Sequence, residues 1–312
     1  MDFWVVEQQM IIIFILILIG VFLFKKRHLS NDSARQLSWI IVNVTNPITL
    51  LCAAISEEEK VGAKEIGVAF LCFVIMFAIL IPLAYLIPVL LGVDKSRRYA
   101  YRMLAIFGNV GFIGIPFSAA VLGPESLIFV SVCGLTFNLV VYTYGVESLK
   151  AVAAEQNPEQ EQKKSSLKDL INSGTVLAVI TIVVYLADIK LPEFGISTLR
   201  YIGNCTTFLS MVVLGVSVAQ MVPKEVFSRW RLYVFVVIRQ ILVPIMFIFL
   251  LRPFLTNTLI LHTVVVMVAM PAGNMPLMLA RQFGAKEDMI SAGIIMTTVA
   301  SIITIPAVMY FL

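Results

Sequence analysis

The chain is organised around continuous apolar stretches, each about 20 residues long, that recur from one end to the other. A helix needs about 20 apolar residues to cross a hydrocarbon core about 30 Å thick. The stretches also lack the alternating pattern of a membrane β-barrel strand. The sequence therefore predicts an all-α membrane protein with ten transmembrane helices, at about residues 5–24, 35–55, 66–91, 99–122, 126–148, 170–189, 197–221, 232–251, 258–281 and 289–312.

The composition agrees with a chain whose main partner is the lipid bilayer. Hydrophobic residues make up 60% of the sequence and charged residues only 13%, whereas about a quarter of the residues in a soluble domain are charged. The formal net charge of +4 gives no indication of a nucleic-acid partner. The four cysteines are scattered singly through the apolar stretches, and we interpret them as packing residues.

The lysines and arginines fall mainly in alternate loops, which indicates how the chain is oriented in the membrane. Cytoplasmic loops carry the excess of these residues. The loops after the odd-numbered stretches hold most of the 23 basic residues, while the other loops hold Lys60, Lys64, Lys190, Arg200 and Arg252. We therefore expect a multi-pass protein of the cell membrane (plasma or inner) with both termini on the non-cytoplasmic side.

A polar segment at residues 150–169 divides the ten stretches into five and five. Its composition is typical of a solvated cytoplasmic linker with a frayed helical extension. Because five is an odd number, the second set begins on the opposite side of the membrane, as in transporters built from inverted repeats. The sequence predicts a first repeat at residues 1–149 (helices 1–5) and a second at residues 170–312 (helices 6–10).

The fourth and ninth stretches each contain glycine, asparagine and proline where a plain spanning helix has no use for them. The fourth contains Asn109 and Pro116, and the ninth contains Asn274 and Pro276. Proline interrupts a helix but is tolerated at the start of a new one. Unwound backbone at membrane depth is tolerated only where protein or a water-filled cavity surrounds it. We expect two broken helices that cross near the middle of the membrane, although a plain proline kink is the alternative for each one alone.

Such a crossing would expose the N-termini of two half-helices, one starting near Pro116 and one starting near Pro276. Free N–H groups and the helix dipole at these ends favour an anion. The amides of Asn109 and Asn274 can donate hydrogen bonds to a carboxylate or hold the loose backbone. The pattern predicts a binding site for a small organic anion.

Motifs in four stretches resemble the auxin efflux carrier family, which includes plant PIN carriers and bacterial malate or malonate permeases. The matching segments are NVTNPITLL in the second stretch, GNVGFIGIPF in the fourth, MPAGNMPLMLARQFGA in the ninth and GIIMTTVASIITIPAV in the tenth. The resemblance covers essentially the whole chain. It implies ten helices in two inverted repeats, crossing helices 4 and 9, and an organic anion moved by an elevator-like alternation, often in a homodimer.

The motifs carry a set of substrate-binding candidates over to this chain. Helices 4 and 9 would contribute the two asparagines and the two prolines at the breaks, and helices 2, 5 and 7 would contribute further polar side chains. For the pair on helix 5, an interhelical hydrogen bond is an equal alternative. The full set is Asn109, Pro116, Asn274, Pro276, Asn138, Tyr142, Asn43, Asn46, Asn204 and Thr207.

Arg239 is the one basic residue well inside a stretch. A charge at that depth costs at least about 2.5 kcal/mol and is usually paired or functional. Its distance from the start of the eighth stretch, about 10 Å by helical rise, would also allow it to snorkel toward the cytoplasmic face. We count Arg239 among the substrate-binding candidates, with snorkelling as the alternative.

The sequence gives no indication of an enzyme, a metal site or a cofactor. His28 and His262 fall near opposite faces of the membrane, so they predict neither a buried catalytic triad nor a zinc site. The phosphate-binding motif of ATP-driven proteins is missing from the sequence.

The sequence therefore predicts a secondary transporter, a permease or efflux carrier, for a small organic anion that is a carboxylate. The first alternative is a sodium-coupled organic-anion symporter of the bile-acid carrier type, which shares the inverted five-helix plan. The second is a membrane sensor that keeps the fold without transporting. The substrate, the direction of transport and the coupling ion stay open at this point.

Overall fold

The computed structural model describes residues 3–56, 60–156, 173–220, 226 and 228–312. The all-helical prediction is confirmed for this part of the chain, where one isolated antiparallel bridge is the only β-structure. The helices are α1 (Phe3–Lys25), α2 (Asn31–Ser56), α3 (Ala63–Leu90), α4 (Arg98–Ile106), α5 (Val110–Val121), α6 (Pro124–Gln156), α7 (Ser173–Leu186), α8 (Glu193–Ala219), α9 (Trp230–Leu251), α10 (Thr258–Ala269), α11 (Met275–Phe283) and α12 (Asp288–Met309).

Seven of these helices are long and apolar enough to cross a membrane, namely α1, α2, α3, α6, α8, α9 and α12. The helices α5, α7 and α10 are apolar but shorter. The fourth predicted stretch is divided into α4 and α5, and the ninth into α10 and α11. Both interruptions were therefore predicted in the correct stretches.

The helices α2, α5 and α9 each contain a π segment shortly before a proline. Five-residue π segments end at Thr45, Gly114 and Leu242, two residues before Pro47, Pro116 and Pro244 respectively. Proline lacks an N–H and clashes with the carbonyl four residues earlier. A π turn moves the hydrogen bonds to the carbonyl five residues earlier, so it relieves that clash without ending the helix.

Helices α1, α2, α7 and α8 form one group, in which α1 packs along α8 and α2 packs against both α7 and α8. The contact between α1 and α8 is close because glycines face each other there. A Cβ atom on Gly20 would lie 2.8 Å from Val212 Cα and 3.0 Å from Gly215 Cα. Between α2 and α8, the hydroxyls of Thr49 and Thr206 lie 2.8 Å apart. We call these helices the four-helix group.

The remaining helices form a second group around the interruptions. Helix α3 packs against α4 and α6, and α9 packs against α10 and α12. Helix α12 also contacts α4, and α6 contacts α10. The two groups meet where α1 touches α12, where α6 touches α7, and where α5 touches α8. We call this second set the crossing group, because it contains both interrupted stretches.

The start of the predicted linker is helical and partly buried. Helix α6 continues to Gln156, so residues 150–156 are not a solvated segment. Lys150 is only 6% exposed, and its ammonium lies 5.4 Å from the ring centre of Phe283. The side-chain Oε1 of Gln156 accepts a hydrogen bond from the N–H of Lys286 at 2.9 Å. The extension packs against α11, and residues 157–169 lie outside the described part of the chain.

Candidate functional site at the crossing of two interrupted helices

The two interruptions meet and are hydrogen-bonded to each other. Gly108 and Ala272 form an antiparallel bridge between them. The N–H of Asn109 donates to the carbonyl of Pro271 at 2.7 Å, and the N–H of Gly273 donates to the carbonyl of Phe107 at 2.9 Å. Backbone groups that left their helices are therefore paired across the crossing, as a buried unwound segment requires.

Glycine allows the two backbones to approach this closely. A Cβ atom on Gly273 would lie 2.8 Å from the carbonyl oxygen of Gly108 and 3.3 Å from Asn109 Cα. Those atoms are backbone and cannot rotate away. A Cβ atom on Gly108 would find its nearest neighbour at 3.5 Å, which is an ordinary contact. The glycine requirement is therefore strict at Gly273 and weak at Gly108.

Helix α12 supports the second interruption through Thr297. The N–H of Ala272 donates to Thr297 Oγ1 at 3.1 Å, and the Nε2 group of Gln240 donates to the Thr297 carbonyl at 3.1 Å. Both side chains are buried. Sequence reasoning missed these two residues. Thr297, Ser301 and Thr304 follow the spacing of one helix face, so a search for polar residues with helical periodicity would have found Thr297.

Asn109 caps the half-helix α5. Its Oδ1 accepts a hydrogen bond from the N–H of Phe112 at 3.1 Å, which satisfies one of the free donors at the helix start. The residue is only 2% exposed, and its Nδ2 group has no hydrogen-bond partner among the described residues. The crossing therefore contains a buried amide donor whose own cap bond fixes its direction.

Asn274 occupies the same position at the start of α11 but has different contacts. It is the N-cap residue, it is half-buried, and its side chain makes no capping hydrogen bond. Pro276 is the second residue of that helix, where its missing N–H costs nothing. The expectation that a half-helix begins near Pro276 is confirmed.

The other half-helix is longer than expected. Its α-helical part begins at Ile115, with Pro116 in the first turn as expected, but a π segment at Val110–Gly114 precedes it without a break. The π turn accommodates Pro116 without a break, so the chain is interrupted earlier, at Phe107–Asn109. Asn46 of α2 lies beside this turn, with its Nδ2 group 3.5 Å from the carbonyl of Gly111. A π-type hydrogen bond to this carbonyl would come from the residue five positions later, but that residue is Pro116, which has no N–H.

Arg239 of α9 connects the two helices that lead into the crossing. It is 2% exposed, its Nε group donates to the carbonyl of Ala105 at 2.5 Å, and its Nη1 group donates to the carbonyl of Val268. These carbonyls belong to the last turns of α4 and α10, where the helix dipole favours a cation. Snorkelling toward the membrane face was the wrong alternative. The guanidinium points into the crossing and satisfies carbonyls from both helix ends.

The other predicted residues lie at varying distances from the crossing. Asn138 follows Phe137, whose ring lies 5.6 Å from the ring of Phe107, and Asn138 and Tyr142 are both half-buried. Asn43 is half-buried and donates to the carbonyl of Trp39 one turn earlier. On α8, Asn204 is exposed and Thr207 is half-buried, whereas Thr206 faces α2. Helix α8 nevertheless packs against the first turn of α5.

The charge balance of the crossing is positive. Among the described residues, the buried ionisable side chains with a full charge are Arg239 and Lys150, and no carboxylate is buried. The first turns of α5 and α11 add the partial positive charge of helix N-termini. Within the same residues, no cluster of His, Cys, Asp and Glu could hold a metal ion. An anion is thus the charged guest that these helix ends favour.

Comparison with known proteins agrees with this geometry. The family model described as membrane transport protein, which corresponds to the auxin efflux carrier family, matches residues 5–309. The chain belongs to this family. It is also 25% identical over 312 residues to an uncharacterized transporter of Methanocaldococcus jannaschii, an alignment that covers 95% of each chain. The protein is therefore a multi-pass membrane transporter.

Proposed function

We propose that this protein is a secondary transporter for a small organic anion, with mono- and dicarboxylates as the substrate class. The observation that carries the proposal is the crossing of the two interruptions, which brings the N-termini of α5 and α11 together. The buried Nδ2 group of Asn109 adds a neutral donor without a partner. One partly buried helix N-terminus stabilises an anion by up to about 2 kcal/mol.

The packing supports an inverted repeat in which α1–α6 correspond to α7–α12. Several of the helix contacts in one half have a counterpart in the other. Helix α1 packs on α8 as α7 packs on α2, α3 packs on α4 and α6 as α9 packs on α10 and α12, and α4 touches α12 as α10 touches α6. The boundaries proposed for the repeats are therefore residues 1–149 and 170–312, joined by a segment whose first seven residues extend α6.

The division into two helix groups supports an elevator-like mechanism. The four-helix group is held by close glycine contacts and by the pair Thr49–Thr206, so it suits a fixed scaffold. The crossing group contains both half-helix N-termini and would carry the substrate across. In this proposal both chain termini lie on the non-cytoplasmic side of the cell membrane, as the loop charges predict. Two copies form a homodimer through their scaffolds.

Uptake into proteoliposomes tests the proposal directly. Purified protein is reconstituted, and the uptake of labelled malate and malonate is compared for the wild type and the double variant Asn109→Ala/Asn274→Ala. We expect the double variant to lose at least about 90% of the uptake, because two neutral donors at the helix N-termini are removed.

The matched control is Asn31→Ala, an exposed asparagine at the start of α2. Equal uptake by the wild type and the double variant would remove the two asparagines from the site. Replacement of sodium by choline separates the two transporter classes, because a sodium-coupled symporter of the bile-acid type would stop and a sodium-independent carrier would not.

A further inference from the structure

A cavity away from the crossing is rich in arginine. Its volume is about 220 Å³, and it lies between the loop after α3 and the first residues of α9 and α12. Arg97, Arg229 and Arg231 line it together with Asp94, and the rings of Tyr101 and Trp230 form part of its wall. The proposed transport site does not use any of these residues.

Two of the arginines are held in place by contacts that leave part of the guanidinium free. Arg231 donates from Nε to the carbonyl of Leu91 at 3.0 Å, and its guanidinium lies 5.2 Å from the ring centre of Trp230. Arg229 lies 3.6 Å from a carboxylate oxygen of Asp288. A guanidinium has five N–H donors, so these contacts orient the groups without using up their donors.

Arg97 is different because the described part of the chain offers it no partner. It is exposed and ends a short turn before α4, and its side chain makes none of the hydrogen bonds or ion pairs found among the described residues. No contact that stabilises the fold therefore explains why the side chain of Arg97 borders the cavity.

The charges around the cavity favour an anion with several oxygens. The lining contains three arginines and one carboxylate, Asp94, and the net charge stays positive even when the neighbouring Asp288 is included. Arginine binds phosphate oxygens through paired, nearly parallel N–H groups, which gives it a geometric advantage there.

The cavity also lies where a lipid headgroup would lie. Helix α3 ends at Leu90, and α9 and α12 begin at Trp230 and Asp288, so three spanning helices end at this level. Tryptophan and arginine are typical of the membrane–water interface. The loop charges assign this face to the cytoplasm, where basic pockets between spanning helices bind anionic headgroups.

We propose that this cavity is a binding site for a phosphoryl group, held by Arg97, Arg229 and Arg231. The phosphoryl group belongs either to an anionic phospholipid or to a soluble phosphate, and both would use the same arginines. Occupancy would tie the loop after α3 to the starts of α9 and α12, all of which belong to the crossing group.

Ligand-induced thermal stabilisation of the full chain in detergent tests the proposal. The probes are a short-chain phosphatidylglycerol, the diacylglycerol with the same acyl chains, which lacks the phosphoryl group, and inorganic phosphate. The variants are Arg97→Gln and, as the matched control, Lys95→Gln, which removes the same charge from the same loop outside the cavity lining. Neither side chain holds the fold together, so both variants should fold.

We expect phosphatidylglycerol to stabilise the wild type and Lys95→Gln alike, and to bind Arg97→Gln about tenfold more weakly, because charge-assisted hydrogen bonds are lost. Inorganic phosphate with the same dependence on Arg97 would support the site and identify a soluble source. The proposal is overturned if neither anionic probe stabilises the protein, if the diacylglycerol acts as well as phosphatidylglycerol, or if the two variants lose affinity equally.

Discussion

The two interruptions are paired with each other at the crossing, but they differ in local structure and chemistry. The first, at Phe107–Asn109, is followed by a π turn, and its asparagine caps the new helix and is almost fully buried. The second is followed by a helix that begins with a proline at its second position, and its asparagine is half-buried and makes no cap. One helix start is held by a side chain and the other by a fixed backbone angle.

Different side chains hold the N-termini of α5 and α11, whereas one side chain holds the C-termini of both α4 and α10. Asn109 and Pro276 act on separate half-helices. Arg239, in contrast, donates to carbonyls of both α4 and α10, so both interruptions depend on a single cation. Substitutions at the helix starts should therefore have local effects, and a substitution of Arg239 should affect both interruptions.

The largest effect is expected for Arg239→Met, which leaves the carbonyls of Ala105 and Val268 without this donor. Each hydrogen bond from a charged donor contributes about 1.5–3 kcal/mol, so unfolding in detergent should become easier by about 3 kcal/mol or more. Hydrogen exchange should rise at the amides of both Asn109 and Gly273. The control Arg252→Gln removes an exposed arginine and should change neither. Faster exchange at only one of the two amides would show that the C-termini are not coupled.

The second prediction concerns the unequal space at the two glycines. Gly273→Ala should separate the strands of the bridge, because its Cβ would lie 2.8 Å from a backbone oxygen, and it should cost about 1–3 kcal/mol, as overpacking usually does. Gly108→Ala places its Cβ at ordinary contact distances and should cost less than about 1 kcal/mol. Thermal unfolding and anion uptake of both variants check this. Equal losses of stability in the two variants would mean that the two backbones leave equally little space at Gly108 and at Gly273.

Features of the fold that depend on neighbouring residues could be predicted from the sequence, whereas contacts between residues far apart in sequence could not. Apolar length predicted the helices, and clustered Gly, Asn and Pro predicted which stretches are interrupted. The π segment between Asn109 and Pro116 was missed because local sequence does not distinguish a π turn from unwound backbone. The contacts of Arg239 and Thr297 were missed because their partners lie on other helices, far away in sequence.

The third prediction separates the two asparagines. Asn109→Ala removes a helix cap as well as a free amide, so it should lower stability by about 1 kcal/mol and also weaken anion binding. Asn274→Ala removes no capping hydrogen bond, so it should weaken binding and leave stability unchanged within about 0.5 kcal/mol. Thermal unfolding with and without a bound carboxylate measures both quantities. Equal losses of stability in the absence of the anion would contradict the difference between the two helix starts.

The smallest effects are expected at the two prolines, and they should differ in sign. Pro276→Ala frees a backbone angle that already suits the first turn of α11, so it should destabilise the protein by about 0.4–1 kcal/mol. Pro116→Ala restores an N–H that can reach the carbonyl of Gly111, where the side chain of Asn46 lies at 3.5 Å. It should be neutral or slightly stabilising. Because α5 begins six residues before Pro116, its N-terminus should survive this substitution, and anion uptake should persist. Loss of uptake in Pro116→Ala without loss of stability would instead place the functional start of that half-helix at the proline, and both half-helices would then depend on a proline at their functional start.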